Sequence, residues 1–529
     1  GAIEVLAARP LTPNGKVDRV ALAAREPVFT SSVAYVAPRD ANETALAEIW
    51  AGVLRRDAVG IHDNFFEMGG HSLLATRVIA RVRDVLNVDL PLRELFSYPT
   101  VAMLAPRLGQ FSHVDRLRPV ERYKATEGLP PLSWAQERLW LLDQLEPGNV
   151  AYNLPWVARI KGELNVAALG AALNRLLERH AVLRTRFGEQ KGAPVQIVAP
   201  TQTLTIQTER LATTDLAERD AQIRARLREF AEVPFDLHRG PLVRAHLLEV
   251  GPDDHALLLV MHHIVADGWS VGVLCNEMAA IYNAQLAGQA AALPDLEYQY
   301  VDYAAWQRDW LAGDELKRQQ DYWLEQLTGA PELLELPADF ARPPVQSYQG
   351  DWVSARIDHA LLGRLKALAA GNDASLFMAV LLAAFKALLF RHSGHTDVVV
   401  GTSVAGRVRT ELEPMIGCFL NTLVLRTAVD QRADFRQLLS EVRQTTLDAY
   451  DNQNLPFERL LEILNPQRSV AHATLDQDMI NLHNQDAERL QLTGLDVETF
   501  YIYRDSAKFD LSAAVVEGDT GCQIGFEYS

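Results

Sequence analysis

Cysteine is scarce in this sequence, with three residues among 529. Cys275, Cys418 and Cys522 are widely separated, and none belongs to a CxxC pair or to a spacing that holds zinc. Isolated thiols in odd number exclude a disulfide framework and favour reduced side chains in a cytoplasmic protein. No metal site is predicted.

Positive charge is in short supply, with 51 Lys and Arg against 68 Asp and Glu and a formal net charge of −17. Nucleic acid and anionic membranes repel such a chain, so neither is a predicted partner. The most apolar segment, SLFMAVLLAAFKALLF from Ser375, is too short to span a bilayer and contains Lys386, so it predicts a buried helix. The chain begins Gly-Ala without a basic and apolar leader, which favours a piece of a longer polypeptide.

Proline-containing segments divide the chain. Residues 25–40 and 116–133 are rich in turn-forming and charged residues and indicate linkers. Between them the apolar spacing predicts short helices, whereas after residue 133 helical and β-type patterns alternate and predict α/β lobes. The predicted inward positions of the first two helices are Leu46, Ile49, Trp50 and Val53, then Leu74, Val78 and Val82.

A serine follows two glycines at the start of the second predicted helix, in DNFFEMGGHSLLATRV. An ordinary N-cap is one explanation for Ser72. However, Leu74, Val78 and Val82 already supply the inward stripe, and Gly69 and Gly70 are expected to leave space around the hydroxyl. A phosphodiester on this oxygen would lie at the positive end of the helix dipole, where an anion is favoured by up to about 1 kcal/mol.

The segment from Asp63 to Leu74, followed by LPLRELFSYPTVAMLA, resembles a peptidyl carrier domain of the nonribosomal peptide synthetases. The resemblance implies that Ser72 carries 4′-phosphopantetheine, placed there by a phosphopantetheinyl transferase. RPLTPNGKVDRVAL at 9–22 resembles the last segment of an adenylation domain, in which the lysine matching Lys16 assists adenylate formation. Nearly the whole adenylation body is missing here, so an exposed turn lysine is the favoured interpretation of Lys16.

Six further segments resemble a condensation domain and occur in the order of that family. They imply two lobes like those of chloramphenicol acetyltransferase, with a tunnel that a donor carrier and a downstream acceptor carrier enter from opposite ends. The segments are SWAQERLWLLDQLEPG (133–148), RHAVLRTRF (179–187), MHHIVADGWS (261–270), YVDYAAW (300–306), IGCFLNTLVLR (416–426) and NQNLPFE (452–458).

The two adjacent histidines at the end of ALLLVMHH should have different roles, because successive strand residues point to opposite faces. By family analogy His263 faces the reacting groups, while His262 packs behind it. Asp267 is then structural and is held by an arginine, for which Arg407 is the candidate, and Gly268 lets the pantetheine arm approach the backbone. A satisfied buried histidine pair and a zinc site are the alternatives, and diverging side chains disfavour zinc.

Weaker candidates for the tunnel wall are Trp269, Ser403 and Asn421, for which a core aromatic, a turn hydroxyl and a strand-end amide are the commoner explanations. The attacking α-amine has a reference pKa near 7.7–8.0, so part of it is neutral without a strong base. General-base help is worth about 10²–10⁴-fold, whereas positioning contributes roughly 7–11 kcal/mol. The prediction is that His263 mainly orients the amine and eases proton transfer.

These resemblances predict a multidomain chain with a small all-α carrier bundle followed by a large two-lobed α/β condensation domain. The predicted boundaries are an adenylation remnant at 1–30, the carrier at 31–108, a linker at 109–129 and the condensation domain at 130–529, with lobes of about 130–295 and 296–529. Two departures from the family are Ala181 in place of a common Glu, and residues 473–477, where the family usually reads Pro-Leu-Phe-Gln.

Peptide-bond formation is the leading predicted function, with an L-configured donor on Ser72, the acceptor on a downstream carrier and the adenylation domain of the same polypeptide upstream. An epimerisation domain shares the HHxxxDG motif and is the nearest alternative. Carriers before epimerases usually read Gly-Gly-Asp-Ser, whereas residues 69–72 read Gly-Gly-His-Ser, which favours condensation. A non-catalytic docking platform for carriers is the third alternative, and the intact His263 and Asp267 argue against it.

Overall fold

A computed structural model describes most of the chain, and two units emerge from it. The first comprises Gly1–Val114, Arg356–Leu376 and Glu517–Cys522, and the second comprises Asp115–Ala355, Phe377–Val516 and Gln523–Ser529. The predicted adenylation remnant with Lys16 lies outside the described residues, as do Ala473 and Thr474. The described residues are 34–70, 72–111, 119–124, 128–211, 218–344, 346–370, 377–464, 475–484, 490–502, 506–518 and 521–529.

The carrier region of the first unit is helical. Its first helix begins after Asp40, whose carboxylate accepts a hydrogen bond from the Glu43 N–H at 2.8 Å. Of the predicted inward positions, all but half-buried Leu74 are buried, and the Trp50 ring meets Phe65 edge-on at 5.1 Å. The helices are α1 (Ala41–Leu54), α2 (Ser72–Leu86), α3 (Leu92–Ser97) and α4 (Val101–Leu104), followed by a 3₁₀ turn at Ala105–Gln110.

The second unit contains a five-stranded sheet whose strands lie in the spatial order β11 (Asp496–Thr499), β1 (Asn153–Lys161), β6 (Asp254–His262), β5 (Val243–Gly251) and β4 (Ile206–Arg210). Strand β6 is a nearly continuous buried apolar run, as expected for a central strand covered on both faces. It pairs antiparallel with β1, so that Asn153 lies opposite His262. Strands β2 (Thr185–Gln190) and β3 (Ala193–Val198) form a separate hairpin.

Strand β11 shows that the predicted lobe boundary at 295/296 does not separate the two lobes in space. Residues 496–499 lie in the region assigned to the second lobe, yet they pair with Ala158–Lys161 of β1 in the first sheet. Tyr300 and Trp306 likewise belong to the hydrophobic core of the first lobe. Part of the predicted linker also packs: Val120 is 2% exposed, and the Tyr123 N–H donates to Asp302 at 2.7 Å. A loose tether therefore does not describe residues 119–124.

A six-stranded sheet forms the second lobe, in the order β7-β13-β12-β10-β8-β9. Its strands are β7 (Asp351–Ile357), β8 (Asp397–Val404), β9 (Asn421–Ala428), β10 (Asp478–Asn484), β12 (Leu511–Gly518) and β13 (Gly521–Tyr528). The helices after residue 130 are α5 (Trp134–Leu145), α6 (Val166–Arg179), α7 (Arg219–Ala231), α8 (Gly268–Leu286), α9 (Tyr300–Trp310), α10 (Asp314–Leu327), α11 (His359–Ala370), α12 (Ala383–Ser393), α13 (Phe435–Asp451) and α14 (Phe457–Leu464).

The described part of the most apolar segment, from Phe377 on, is helical, as predicted. It forms a π-helical stretch at Phe377–Leu382 followed by α12, and Lys386 within α12 is fully buried. Among the described residues, none of the helices has the length and apolar character needed to cross a membrane. All three cysteines are buried and free of disulfides.

Candidate functional site

The predicted attachment serine occupies the first position of a fifteen-residue helix. Ser72 begins α2, whose first turn contains no acidic residue, so its amide end offers an uncontested positive dipole to a phosphate group. Gly69 has φ +99° and open space where a Cβ would lie. Gly70 differs from the expectation, since a Cβ there would come within 2.4 Å of the Phe65 ring. Gly69 therefore leaves space beside the start of α2, whereas Gly70 allows the backbone to pack closely against Phe65. The residues present at this helix start fit a phosphopantetheine group.

The two adjacent histidines lie in different local structures. Strand β6 ends at His262, and His263 starts the turn that leads to α8. The alternation expected of a strand therefore stops at His262, although the His263 N–H still donates to the Tyr152 carbonyl at 2.9 Å. This bond anchors the turn to the beginning of β1.

Burial further separates the two imidazoles. His262 is 4% exposed, and its Nδ1 accepts a hydrogen bond from the Ile264 N–H at 3.1 Å. Burial, with a smaller contribution from Lys508, lowers the pKa of His262 to about 3, so this ring stays neutral at physiological pH. His263 is half-buried and keeps part of its side chain accessible.

Asp267 is the centre of a buried polar network behind this turn. It is the N-cap of α8, and its Oδ1 accepts hydrogen bonds from the Ser270 N–H at 2.9 Å and the Ser270 hydroxyl at 2.7 Å. Its Oδ2 accepts from Arg407 Nη1 at 2.9 Å and from the Phe419 N–H at 3.0 Å. The expected contact with Arg407 is thus present as an ion pair whose side chains are 1% and 2% exposed.

Arg407 connects the histidine turn to residues 415–419, which precede β9. Its Nη2 donates to the Ser270 hydroxyl at 3.0 Å and to the Met415 carbonyl at 3.2 Å, and its Cζ lies 4.1 Å from the centroid of the Phe419 ring. Ser270 Oγ also accepts from the Gly417 N–H at 3.0 Å. Sequence reasoning missed Ser270 and this backbone, although both lie inside segments that carry the family resemblance.

The N-terminal turn of α5 supports the histidine turn from the other side. Gln136 Nε2 donates to the Ile264 carbonyl at 3.2 Å, and Gln136 forms a capping box with Ser133. The Ser133 hydroxyl lies 2.8 Å from the Tyr300 hydroxyl, which also bonds to the Cys418 carbonyl. Four of the segments quoted above therefore meet around residues 262–267, although they are far apart in the chain.

The remaining candidates differ in what surrounds them. A Cβ on Gly268 would meet no atom within 4 Å, so the backbone there is accessible to a ligand. Trp269 Nε1 donates to the Glu413 carbonyl at 2.9 Å, and the Ser403 N–H donates to Asn481 at 2.9 Å.

Asn421 makes hydrogen bonds to the segment before α14. Its Nδ2 donates to the carbonyls of Gln453 and Leu455 at 2.8 Å each, and its Oδ1 accepts from the Phe457 N–H at 3.0 Å. This pattern supports the strand-end explanation for Asn421. Within the described part of the chain, no group of three or more His, Cys, Asp or Glu side chains is placed to hold a metal ion.

Comparisons with known proteins divide the chain in two. A model of the condensation domain matches residues 126–529, and a model of the phosphopantetheine attachment site matches residues 44–108. A linear gramicidin synthase protein from Brevibacillus parabrevis is 44% identical over 98% of this chain, and a plipastatin synthase protein from Bacillus subtilis is 41% identical over 98%. The chain spans only 7% and 14% of the lengths of these two relatives.

Solved structures share the fold of the larger region. The X-domain from teicoplanin biosynthesis superimposes with a TM-score of 0.69 at 27% identity, over 78% of this chain and 92% of that one. The first condensation domain of the calcium-dependent antibiotic synthetase, solved with a substrate analogue, gives 0.66 at 22% identity over 76% and 91%. The second of these similarities concerns the fold alone.

Proposed function

Because the chain belongs to the condensation-domain family, with a phosphopantetheine attachment domain ahead of the condensation domain, we propose that it joins carrier-bound substrates through amide bonds in nonribosomal peptide synthesis. The family makes it an amide-forming acyltransferase with covalently bound 4′-phosphopantetheine. The observation that carries the proposal is the half-buried His263, positioned by the buried Asp267–Arg407 pair and the Tyr152 carbonyl.

Ser72 is the residue that would hold the prosthetic group, which supplies a flexible thiol that carries an acyl group as a thioester. The donor acyl group is proposed to reside there, and the acceptor α-amine to arrive on a downstream carrier. A phosphopantetheinyl transferase and the upstream adenylation domain are the other proposed partners, and the cytoplasm is the proposed location. The L-donor type remains part of the proposal.

His263 is proposed to orient the α-amine and to receive its proton. As the C–N bond forms and the thioester C–S bond breaks, the attacking nitrogen must lose a proton. An imidazole beside it can accept that proton and pass it to the departing thiolate, so that the products are an amide and a free thiol. His262 is unsuited to this work, because its Nδ1 is already occupied by the Ile264 N–H and burial strongly disfavours its charged form. Its contribution is to fix the turn.

Positioning supplies the larger part of the rate enhancement in this mechanism. Asp267, Arg407 and Ser270 hold the turn through bonds that leave little freedom for the His263 backbone. Fixing two reactants in a reactive geometry is worth roughly 7–11 kcal/mol, more than the about 10²–10⁴-fold that proton transfer typically contributes.

Replacing His263 by Ala tests this role. We expect amide formation to slow at least about 100-fold, in keeping with the loss of a positioned proton acceptor. The chain would be loaded on Ser72 with a transferase and an aminoacyl-CoA, mixed with a loaded acceptor carrier, and followed by intact-protein mass spectrometry.

The matched control is His392→Ala, which removes an exposed imidazole at the end of α12. Loading of Ser72 should be unchanged in both variants. Near-full amide formation by His263→Ala would remove this residue from the mechanism. Racemisation of the loaded donor without an acceptor would instead favour epimerisation, and acceptor-carrier binding without any product would favour the docking platform.

A further inference from the structure

A pocket of about 530 Å³ opens next to the segment that anchors the histidine turn. Part of its wall is the 3₁₀ turn Val150–Tyr152, and the carbonyl at the end of that turn accepts the His263 N–H. The volume lies within the range of small-ligand sites, which is roughly 300–1,000 Å³. Its polar lining comes from both lobes and includes Glu146, Asn149, Glu232, Ser347, Tyr348 and Ser506.

The polar groups of this pocket are mainly hydrogen-bond acceptors. Glu146 and Glu232 are both half-buried, and among the described residues of the lining none is basic. Glu232 forms no ion pair with any residue in the described part of the chain. Two partly desolvated carboxylates with no lining counter-charge favour a ligand that brings a positive charge and several N–H donors.

Asn149 holds one of these carboxylates in place. Its Nδ2 donates a hydrogen bond to Glu146 at 2.8 Å, and Tyr348 belongs to the same lining. Tyr348 holds a φ of +53°, an uncommon backbone conformation for a residue with a bulky side chain. The bond from Asn149 orients the Glu146 carboxylate before a ligand arrives, and a carboxylate retains further acceptor positions after one such bond.

The charges deeper between the lobes balance one another and leave the two pocket carboxylates uncompensated. Near Tyr152, the Arg138 guanidinium lies between Asp476 and Glu458, at 3.4 and 3.7 Å. Lys508 Nζ is 5.0 Å from the centroid of the Tyr152 ring. Together with the two pocket carboxylates there are four acidic groups against these two basic ones.

We infer that this pocket binds a cationic side chain, a guanidinium or an ammonium, of a substrate undergoing condensation. The inference rests on the proposed function, because that function assigns the reaction to His263, whose backbone N–H bonds to the 3₁₀ turn that also lines the pocket. Glu146 and Glu232 are then specificity-determining residues. They add affinity for one class of substrate and take no part in the chemistry at His263.

Arginine and citrulline substrates test the inference, because the two side chains have the same shape and differ in charge. In the donor arm, Ser72 of the full chain would carry arginine or citrulline and the acceptor carrier would carry alanine. In the acceptor arm, Ser72 would carry alanine and the acceptor carrier would carry arginine or citrulline. We expect about a tenfold higher kcat/KM for arginine in the arm whose side chain reaches the pocket. Product is quantified by mass spectrometry.

The variant Glu146→Gln/Glu232→Gln should reduce this preference to about twofold. Glu229→Gln, in α7 three residues before Glu232 and outside the pocket lining, should keep the preference. Glu232→Lys provides a second variant, with an expected preference for citrulline over arginine, and thermal unfolding checks that each variant is folded. Equal rates for arginine and citrulline in both wild-type arms would overturn the inference. Absence of amide product with every substrate would instead overturn the proposed function.

Discussion

His262 and His263 are neighbours in the chain, yet their surroundings give them different chemistry. His262 is enclosed and bonded through Nδ1, whereas His263 begins a turn and is only half-buried. An imidazole that exchanges protons must be able to exist in both protonation states near neutral pH. The low pKa of His262 excludes it from proton exchange. The surroundings of each histidine, and not the residue type, therefore decide which of the two can take that role.

Lys386 is a second residue whose environment dominates its behaviour. It is fully buried in α12, and its Nζ donates to the Leu425 carbonyl and, at 3.1 Å, to the Val398 carbonyl. Burial lowers the pKa of Lys386 to about 7, although the nearby Asp397 carboxylate acts in the opposite direction and raises it. The unfolded chain therefore binds more protons than the folded one between pH 7 and the usual lysine pKa, so the free energy of unfolding rises with pH in that window.

We expect Lys386→Met to increase the free energy of unfolding by about 2 kcal/mol at pH 7, because removing the charge penalty outweighs two lost hydrogen bonds. The gain should shrink as the pH rises from 7 to 10, where the wild-type amine becomes neutral in the folded state. Urea unfolding of both proteins across this pH range measures the difference. Lys124→Met, at an exposed position, should show no such trend, and a gain independent of pH would contradict the explanation.

At the scale of elements, local patterns predicted more than long-range contacts. The spacing of Leu46, Trp50 and Val78 and the apolar run of β6 could be read from the sequence, because helix and strand periodicity is local information. The partners of Asp267 could not all be read in this way. Ser270 lies three residues away, but Phe419 lies 152 residues away, and nothing in the spacing of apolar residues encodes that contact.

The same limit applies to the pairing of strands that are far apart in the chain. Strand β11 is only four residues long. Its pairing with β1 depends on the path of the chain after it leaves the second lobe, and a pattern of four residues does not specify that path. The end of β6 at His262 was also missed, because apolar Ile264 and Val265 continue the strand-like composition into a turn. The family resemblance, by contrast, located the segments around the histidines because it carries long-range information that periodicity lacks.

The loop before α2 offers a prediction at this scale. A Cβ on Gly70 would lie 2.4 Å from the Phe65 ring and 2.5 Å from the Phe65 carbonyl oxygen, so Gly70→Ala must displace the start of α2 or the ring. We expect a loss of about 1–3 kcal/mol in carrier stability and slower modification of Ser72 by a phosphopantetheinyl transferase. Hydrogen exchange of the carrier amides and the rate of the mass increase measure the two effects.

Gly109→Ala is the matched control, since its Cβ would meet no atom within 4 Å. It should leave carrier exchange and modification close to the wild-type values. If Gly70→Ala behaved in the same way, the close packing against Phe65 would not be what positions α2.

Across the condensation region, each lobe contributes an arginine that inserts into the other. Arg407 of the second lobe pairs with Asp267 of the first, and Arg138 of the first lobe lies between Asp476 and Glu458 of the second. Strand β11 adds a backbone connection in the same region. If the substrates meet between the lobes, as the proposed function requires, these contacts set the separation available to the reaction.

Arg138→Met tests how strongly the lobes depend on the second of these contacts. Removing Arg138 would leave the Asp476 carboxylate, which is 3% exposed, and the Glu458 carboxylate, which is 19% exposed, without their counter-charge. Breaking a fully buried pair typically costs about 3–5 kcal/mol, and the 30% exposure of the Arg138 side chain reduces the expected cost to about 1–3 kcal/mol. We expect a loss of that order in urea unfolding, and recovery of about half of it in Arg138→Met/Asp476→Leu, where an apolar side chain replaces one unpaired acid.

The pH dependence of the Arg138→Met deficit separates an electrostatic role from simple packing. Burial raises the pKa of Asp476 and of Glu458 even in the wild type, against the opposing effect of Arg138, and loss of the guanidinium raises both further. A raised acid pKa means that the folded state binds protons more tightly, so its stability falls as the pH rises above the unfolded value near 4. The deficit should therefore be small at pH 4 and grow towards pH 8.

Arg175→Met, which removes an exposed pair with Glu178, should change stability by less than about 0.5 kcal/mol at every pH. A deficit in Arg138→Met that stayed constant over this range would assign the contact to packing of the arginine stem against Phe457, whose ring centroid lies 5.1 Å from Cζ.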